Sequence, residues 1–229
     1  MARVFKVLAV GDAHCPWMLY RTLDGICAAA RGLKPDIIIQ LGDLYDFFSW
    51  TRFPRTYNLL TPIEEAKQGR KMAENMWARL AKAAPKAKLY QLRGNHDDRP
   101  YKRILEAAAE FEDLLKLDPL FQFDGVETQP SSRDELIIQG VCYMHGFRSK
   151  LGDHARHNRM STVCGHSHKG GVVTMRLGKK TLFECNAGFL GNPNSRPLSY
   201  GAQRKFNDQT QGFAFIDSLG PRFVPLPNP

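Results

Sequence analysis

Asp12-Ala13-His14, Gly42-Asp43-Leu44-Tyr45-Asp46, Gly94-Asn95-His96-Asp97, His145-Gly146 and Gly165-His166-Ser167-His168 are five short polar pieces of one chain. Each stands directly behind an apolar run: "VFKVLAV", "DIIIQL", "KLYQL", "VCYM" and "STVC". Imidazole, carboxylate and amide oxygen are ligands for Mn, Fe, Zn or Ni, with Mn favoured and Mg possible. No cysteine belongs to the set, so a thiolate structural site is not indicated. One ion needs about four to six donors. Asp12, His14, Asp43, Asn95, His145, His166 and His168 are enough for two divalent ions sharing a bridging carboxylate. Taken singly, a His behind a strand is a surface or core residue, and Gly-Asp is a turn. The recurrence in order along the chain is what points to metal chemistry.

Those donors converge only if the runs before them are strands ending at one edge. Residues 4–12, 36–43 and 88–92 read as buried strands, with helices over 18–31, from Thr61 to about Ala84, and over 99–117. Thr61, Pro62 and Glu64 form a helix start, as N-cap, first helical residue and closure of a capping box. Strand, helix, strand, helix, strand predicts a mainly parallel layer, and ligands bind beyond the carboxyl ends of such strands. Short apolar runs at 121–123, 135–138, 141–144, 161–164, 171–177, 180–185 and 212–216 predict a second, mixed sheet. The expected architecture is two stacked sheets with helices outside, in a single domain over 1–229, residues 220–229 being an extended Pro-rich tail. In Asp-x-His and His-x-His, locally extended backbone would point both side chains at one site.

Composition is that of an ordinary globular protein, 43% apolar and 24% charged. No apolar run is long enough to span a membrane, and the N-terminus lacks the pattern of a signal peptide. The five cysteines fall mostly in apolar segments, as expected for reduced, buried thiols in a cytoplasmic protein. The net charge of +9 is uneven: residues 145–229 carry 12 Lys+Arg against 4 Asp+Glu, a net of +8. That excess suggests an anionic partner such as nucleic acid, nucleotide or phosphate ester, a solvated basic surface being the alternative. The sequence leaves the oligomeric state open.

Together the five pieces resemble the motifs of the calcineurin-like metallophosphoesterases, D-x-H, G-D-x-x-D, G-N-H-[DE], H and G-H-x-H, without a substitution. The compact layout resembles stand-alone bacterial and bacteriophage members. The resemblance implies a four-layer α/β-β/α sandwich of two mixed sheets flanked by helices. It implies one ion held by Asp12, His14, Asp43 and His168, and a second by Asp43, Asn95, His145 and His166. His96 would face the phosphate and protonate the leaving oxygen, with Asp97 orienting its ring and Asp46 in a supporting place. The implied reaction is attack on phosphorus by a metal-bridging hydroxide.

Substrate contacts are less sharply drawn. Asn95 and His96 adjoin the expected phosphate, and the basic segment 147–159 makes Arg148 and Lys150 the preferred further contacts. Arg93, Arg99, Lys102 and Arg103 flank the third motif, with a solvated helix start the favoured reading for three of them. Trp17, Tyr45, Phe47, Phe48 and Trp50 suit packing under the site better than base stacking. A phosphodiesterase acting on nucleic acid or nucleotides, a nuclease among them, is the first expectation. A phosphomonoesterase, including a protein phosphatase, is the alternative, and a non-catalytic binding module the third.

Overall fold

The computed structural model describes residues 4–52, 60–110, 118–199 and 209–227. In chain order these form β1 (Val7–Val10), α1 (Tyr20–Leu33), β2 (Ile37–Gln40), α2 (Pro62–Ala83), β3 (Lys88–Gln91) and α3 (Arg99–Ala107). They continue as β4 (Val126–Thr128), β5 (Leu136–Ile138), β6 (Val141–Tyr143), α4 (Asp153–Asn158) and β7 (Ser161–Cys164). The last elements are β8 (Gly171–Leu177), β9 (Lys180–Asn186), β10 (Gly212–Asp217) and β11 (Gly220–Pro225).

The first sheet runs β11-β10-β1-β2-β3-β4 and the second β5-β6-β7-β9-β8. Alternation along each strand sorts the two faces. Val7, Ala9, Ile37 and Ile39 of the first sheet pack against Tyr143, Val163 and Cys185 of the second. Leu8, Val10 and Ile38 face the other way, into Leu23, Ile26 and Ala30 of α1 and Met76, Trp77 and Leu80 of α2. Helix α4 covers the outer side of β7 and β9. The order helices, sheet, sheet, helix is the expected four-layer sandwich.

Helix α2 starts as its sequence dictates: the Thr61 hydroxyl accepts from the Glu64 amide while the Glu64 carboxylate accepts from Thr61 N. Helix α3 ends at Ala107; of the expected continuation to 117, residues 111–117 lie outside the described residues. The C-terminal segment differs from the expected tail. Gly220–Pro225 pairs antiparallel with β10, placing Pro221 opposite Ile216 and Pro225 opposite Gly212. Proline is tolerated there because β11 is the edge of its sheet. All five cysteines are unpaired and buried, and no described helix is long and apolar enough to cross a membrane.

Register levels the strand ends. β1, β2 and β3 are parallel, with Val10 opposite Gln40 and Gln40 opposite Gln91. In the second sheet β6, β7 and β9 are parallel, with Tyr143 opposite Val163 and Cys164 opposite Asn186. Five loops therefore leave the two sheets at one edge.

Candidate metal centre

The loops after β1, β2, β3, β6 and β7 carry every donor singled out above, and their backbones are unusual. Asp12, His14, Asp43, His166 and His168 all have left-handed backbone, with φ of 54°, 49°, 51°, 69° and 60°. The extended geometry expected for Asp-x-His and His-x-His is therefore not the one found. A non-glycine residue in this region costs roughly 1–3 kcal/mol and persists only where its surroundings fix it. Here they do: Asp12 N donates to Gly42 O (3.1 Å), His14 N to Asp43 O (2.9 Å), and Leu190 N to Asp12 O (3.1 Å).

Two glycines seat the carboxylates. A Cβ on Gly94 would stand 2.1 Å from Asp43 Oδ1, and one on Gly165 2.4 Å from Asp12 Oδ2. Asp43 Oδ1 also accepts from His96 N (2.8 Å), and both Asp12 oxygens accept from His166 N (3.1 and 3.0 Å).

The donors fall into two groups. His14 Nε2 and His168 Nε2 are 3.0 Å apart, with Asp12 Oδ1 3.4 Å from His168 Nε2. Asn95 Oδ1 lies 3.0 Å from His145 Nε2 and 2.9 Å from His166 Nδ1, and Asp43 Oδ2 lies 3.3 Å from His145 Nε2. Asp43 has donors of both groups close by, His14 on one side and His145 with Asp12 on the other.

Hydrogen bonding shows what these groups want between them. His145 Nδ1 is 3.2 Å from the Leu41 carbonyl, which only accepts, so Nδ1 carries the proton. Its Nε2 faces the Asn95 and Asp43 oxygens, which are acceptors, so without a cation there Nε2 carries a second proton between them. His14 Nδ1 likewise faces Asp46 Oδ2 at 3.0 Å, leaving its Nε2 lone pair toward His168. Donors about 2.1 Å from one ion stand about 3.0–3.4 Å apart, which is the spacing found here. The donor set fits metal.

The protonation states agree. Burial pushes the Asp12 and Asp43 carboxyls up, but the neighbouring histidines outweigh it and hold both below their usual value. Burial lowers His14 and His166, keeping those rings neutral. For His145 burial acts downward, yet the Asp43 carboxylate, with Asp12 and Asp97, raises the group to about 9. The pocket gathers positive charge, as a proton or as a metal ion.

Asp97 does not serve as expected. Its carboxylate accepts from Tyr45 N (2.9 Å), Leu44 N (3.3 Å) and Gly94 N (2.8 Å), tying the β2 loop to the β3 loop. Three amides at that distance leave it no path to the His96 ring. Asp46 takes that place: its carbonyl lies 3.2 Å and its Oδ2 3.7 Å from His96 Nδ1. One carboxylate thus reaches both His14 and His96.

Arg99 Nη2 stands 2.8 Å from His96 Nε2, and its Nη1 donates to the Asp46 carbonyl (2.9 Å) and Oδ1 (3.2 Å). Guanidinium is donor-only, so Nε2 accepts here. A proton on Nε2 and this contact exclude one another. Arg99 is therefore part of the site, and not the solvated helix start favoured from sequence.

Arg148 and Lys150 lie on the exposed stretch before α4, outside both cavities that Asn95 borders. His154 of the same segment is buried. Its Nε2 accepts from Phe147 N (3.0 Å) and Arg148 N (3.1 Å) while Nδ1 faces Glu184 Oε1 (3.3 Å), so it braces the loop behind His145. Tyr45 and Phe47 are core residues, as the packing reading expected, whereas Trp50 lines a cavity beside Asn95.

Two supports escaped sequence reasoning. Gln40 brackets the Gly42 turn, donating to Gly42 O (2.8 Å) and accepting from Gly42 N (2.7 Å), with Gln91 Nε2 donating to it (2.5 Å). The signal was a buried amide at the last position of two neighbouring strands. Asn186 ends β9 and donates to Gly165 O (2.6 Å) and Ser167 Oγ (3.0 Å), fixing the His166 loop.

The profile of the calcineurin-like phosphoesterases matches residues 5–170, most of the chain and the whole donor set. The chain belongs to the calcineurin-like phosphoesterase family. Two curated relatives are similar over nearly the full length. The Gene 54 protein of Mycobacterium phage D29 is 25% identical, the match covering 96% of this chain and 93% of that protein. The Gene 54 protein of Mycobacterium phage L5 is 24% identical with the same coverage. Among solved structures, Vps29 of Chaetomium thermophilum is 12% identical at a TM-score of 0.49, covering 98% of this chain and 100% of its own. The family supports a metal-dependent hydrolase of phosphate esters.

Proposed function

We propose that this calcineurin-like phosphoesterase is a dinuclear enzyme and, in preference, a phosphodiesterase acting on nucleic acid or nucleotides. The observation that carries the reading is the convergence of seven metal-ligating groups at one sheet edge. In this reading Asp12, His14 and His168 hold one ion, Asn95, His145 and His166 the other, and Asp43 both. Mn is the favoured ion for such an oxygen and imidazole set, with Fe, Zn, Ni and Mg as competitors. When bound, the ions activate water and neutralise the phosphate oxygens.

The chain's own groups supply the rest. Asp46 holds the Nδ1 faces of His14 and His96, so the metal-binding ring and the acid ring share one brace. The incoming phosphate draws Arg99 off His96 Nε2, because an anion satisfies a guanidinium better than an imidazole does. His96 is then free to carry the proton to the leaving oxygen. Asp97 keeps the Asp43 and Gly94 loops in register so that Asn95 and His96 face the same phosphate.

The test is hydrolysis of bis-p-nitrophenyl phosphate beside p-nitrophenyl phosphate, in metal-stripped protein supplied with Mn, Ni, Zn or Mg. A preference for the diester supports the reading. A preference for the monoester moves the enzyme to the phosphatases, and silence with every metal removes the catalytic reading.

A further inference from the structure

Asn95 borders two cavities, one lined by four cations and the other by one arginine and one glutamate. One, of about 460 Å3, is walled by Trp50, Arg52, Arg99, Lys102 and Arg103. The other, of about 360 Å3, is mostly apolar and includes Met144, His145 and Phe147. Phe147 is 54% exposed, and Arg148 packs over its ring. Asn95 lies on the wall of both cavities and His145 on that of the second, so both open onto the candidate metal centre.

The first cavity is over-supplied with cations. Arg52 and Arg103 share the single carboxylate of Glu106, and Lys102 stands 3.9 Å from Asp98, itself engaged by Arg93 at 3.3 Å. Lys102 and Arg103 are 52% and 45% exposed, so neither is held by the core and both can turn to a ligand. Cations beside an aromatic ring on one side, and an exposed aromatic on the other, are the elements by which single strands are gripped: charge tracks the phosphates and rings receive bases.

We infer that the cleft of Trp50, Arg52, Lys102 and Arg103 binds the phosphate flanking the scissile one in a single-stranded oligonucleotide, whose neighbouring base rests on the Phe147 side. This rests on the phosphodiesterase reading above and deepens it. The basic C-terminal third is then not the main grip; residues 49–52 and helix α3, from the first half of the chain, supply it.

Binding of a fluorescein-labelled, phosphorothioate-linked hexathymidylate, followed by anisotropy across a salt series, tests the inference in the full chain with Mn and without added metal. Lys102→Ala/Arg103→Ala is expected to weaken binding at least fivefold at low salt. Its salt slope should fall by about 0.7, the value for one lost phosphate contact on a single strand. Lys179→Ala/Lys180→Ala, at the exposed turn after β8 and the first residue of β9, removes the same charge from the C-terminal third and should leave both quantities at wild-type values. Wild-type binding by the cleft variant, or an equal loss in the hairpin variant, would overturn the assignment. So would equal competition by inorganic polyphosphate of matched charge, which carries no base. Turnover of bis-p-nitrophenyl phosphate by the metal-loaded wild type is read separately, so failure of the phosphodiesterase reading is distinguishable from failure of the cleft assignment.

Discussion

Replacing Gly165 by alanine is expected to displace Asp12, one of the proposed metal ligands, and little else. Gly165 is outside the left-handed region, so alanine is acceptable to its backbone. The new Cβ would stand 2.4 Å from Asp12 Oδ2, where real Cβ atoms essentially never approach below 3.0 Å. The carboxylate must then retreat by 3.0 − 2.4, at least 0.6 Å, against two contacts from His166 N that now hold it at 3.1 and 3.0 Å. Metal sites tolerate displacements of about 0.2 Å, so the shift is about three times what the ligand can absorb. Losses of 10–100-fold in metal affinity accompany disturbances of this kind, about 1.4–2.8 kcal/mol. Thermal melts across a Mn series read it directly, because an ion binding only the folded chain stabilises it by RT ln(1 + [Mn]/Kd), so a weaker site raises Tm only at higher Mn. The expected outcome is a metal-free Tm close to wild type and a much smaller rise with Mn, with elemental analysis showing one ion lost before the other. A variant whose Tm climbs with Mn as steeply as wild type would refute the placement of Asp12 as a ligand.

Three further outcomes are expected. His96→Ala keeps both ions and loses about 10²–10⁴ in kcat on a poor leaving group, but much less on p-nitrophenolate, which scarcely needs an acid; equal losses in paired assays would remove the acid role. Burial lowers the His96 pKa, the Asp43 and Asp46 carboxylates raise it to a net upward shift, and Arg99 pulls it back down. Arg99→Ala should therefore carry the alkaline limb of the kcat/KM profile to higher pH and raise KM, whereas an unmoved limb would count against the contact. Burial pushes Glu184 up, but His154, with the Ala155 and Gly152 amides, holds it below the ordinary 4.5. Its contribution is present above that pH and lost as pH falls through the folded value. Glu184→Gln should thus cost about 1–3 kcal/mol in urea melts at pH 7, with the gap to wild type closing toward pH 4 and below.

The candidate ligands were legible because strand ends are where chemistry concentrates, and each polar piece stood behind an apolar run. Their backbone was not legible: nothing in Asp-Ala-His announces left-handed residues, which tertiary contacts from Gly42, Asp43 and Leu190 impose. Adjacency along the chain favoured Asp97 as the partner of His96, but its side chain turns to three amides while Asp46, 50 residues earlier, reaches the ring. Arg99 read as a helix start because it is one, at the first residue of α3; that this helix begins beside His96 is a tertiary fact. Four prolines made the C-terminus read as a tail, since sequence alone does not tell an edge strand from an extended end.

The most direct test of a dinuclear centre is a crystal structure of Mn-loaded protein with anomalous scattering recorded at the Mn edge. The account predicts two peaks, one among Asp12, His14 and His168 and one among Asn95, His145 and His166, with the Asp43 carboxylate shared between them. A single peak, or two peaks with Asp43 bound to only one, would contradict it.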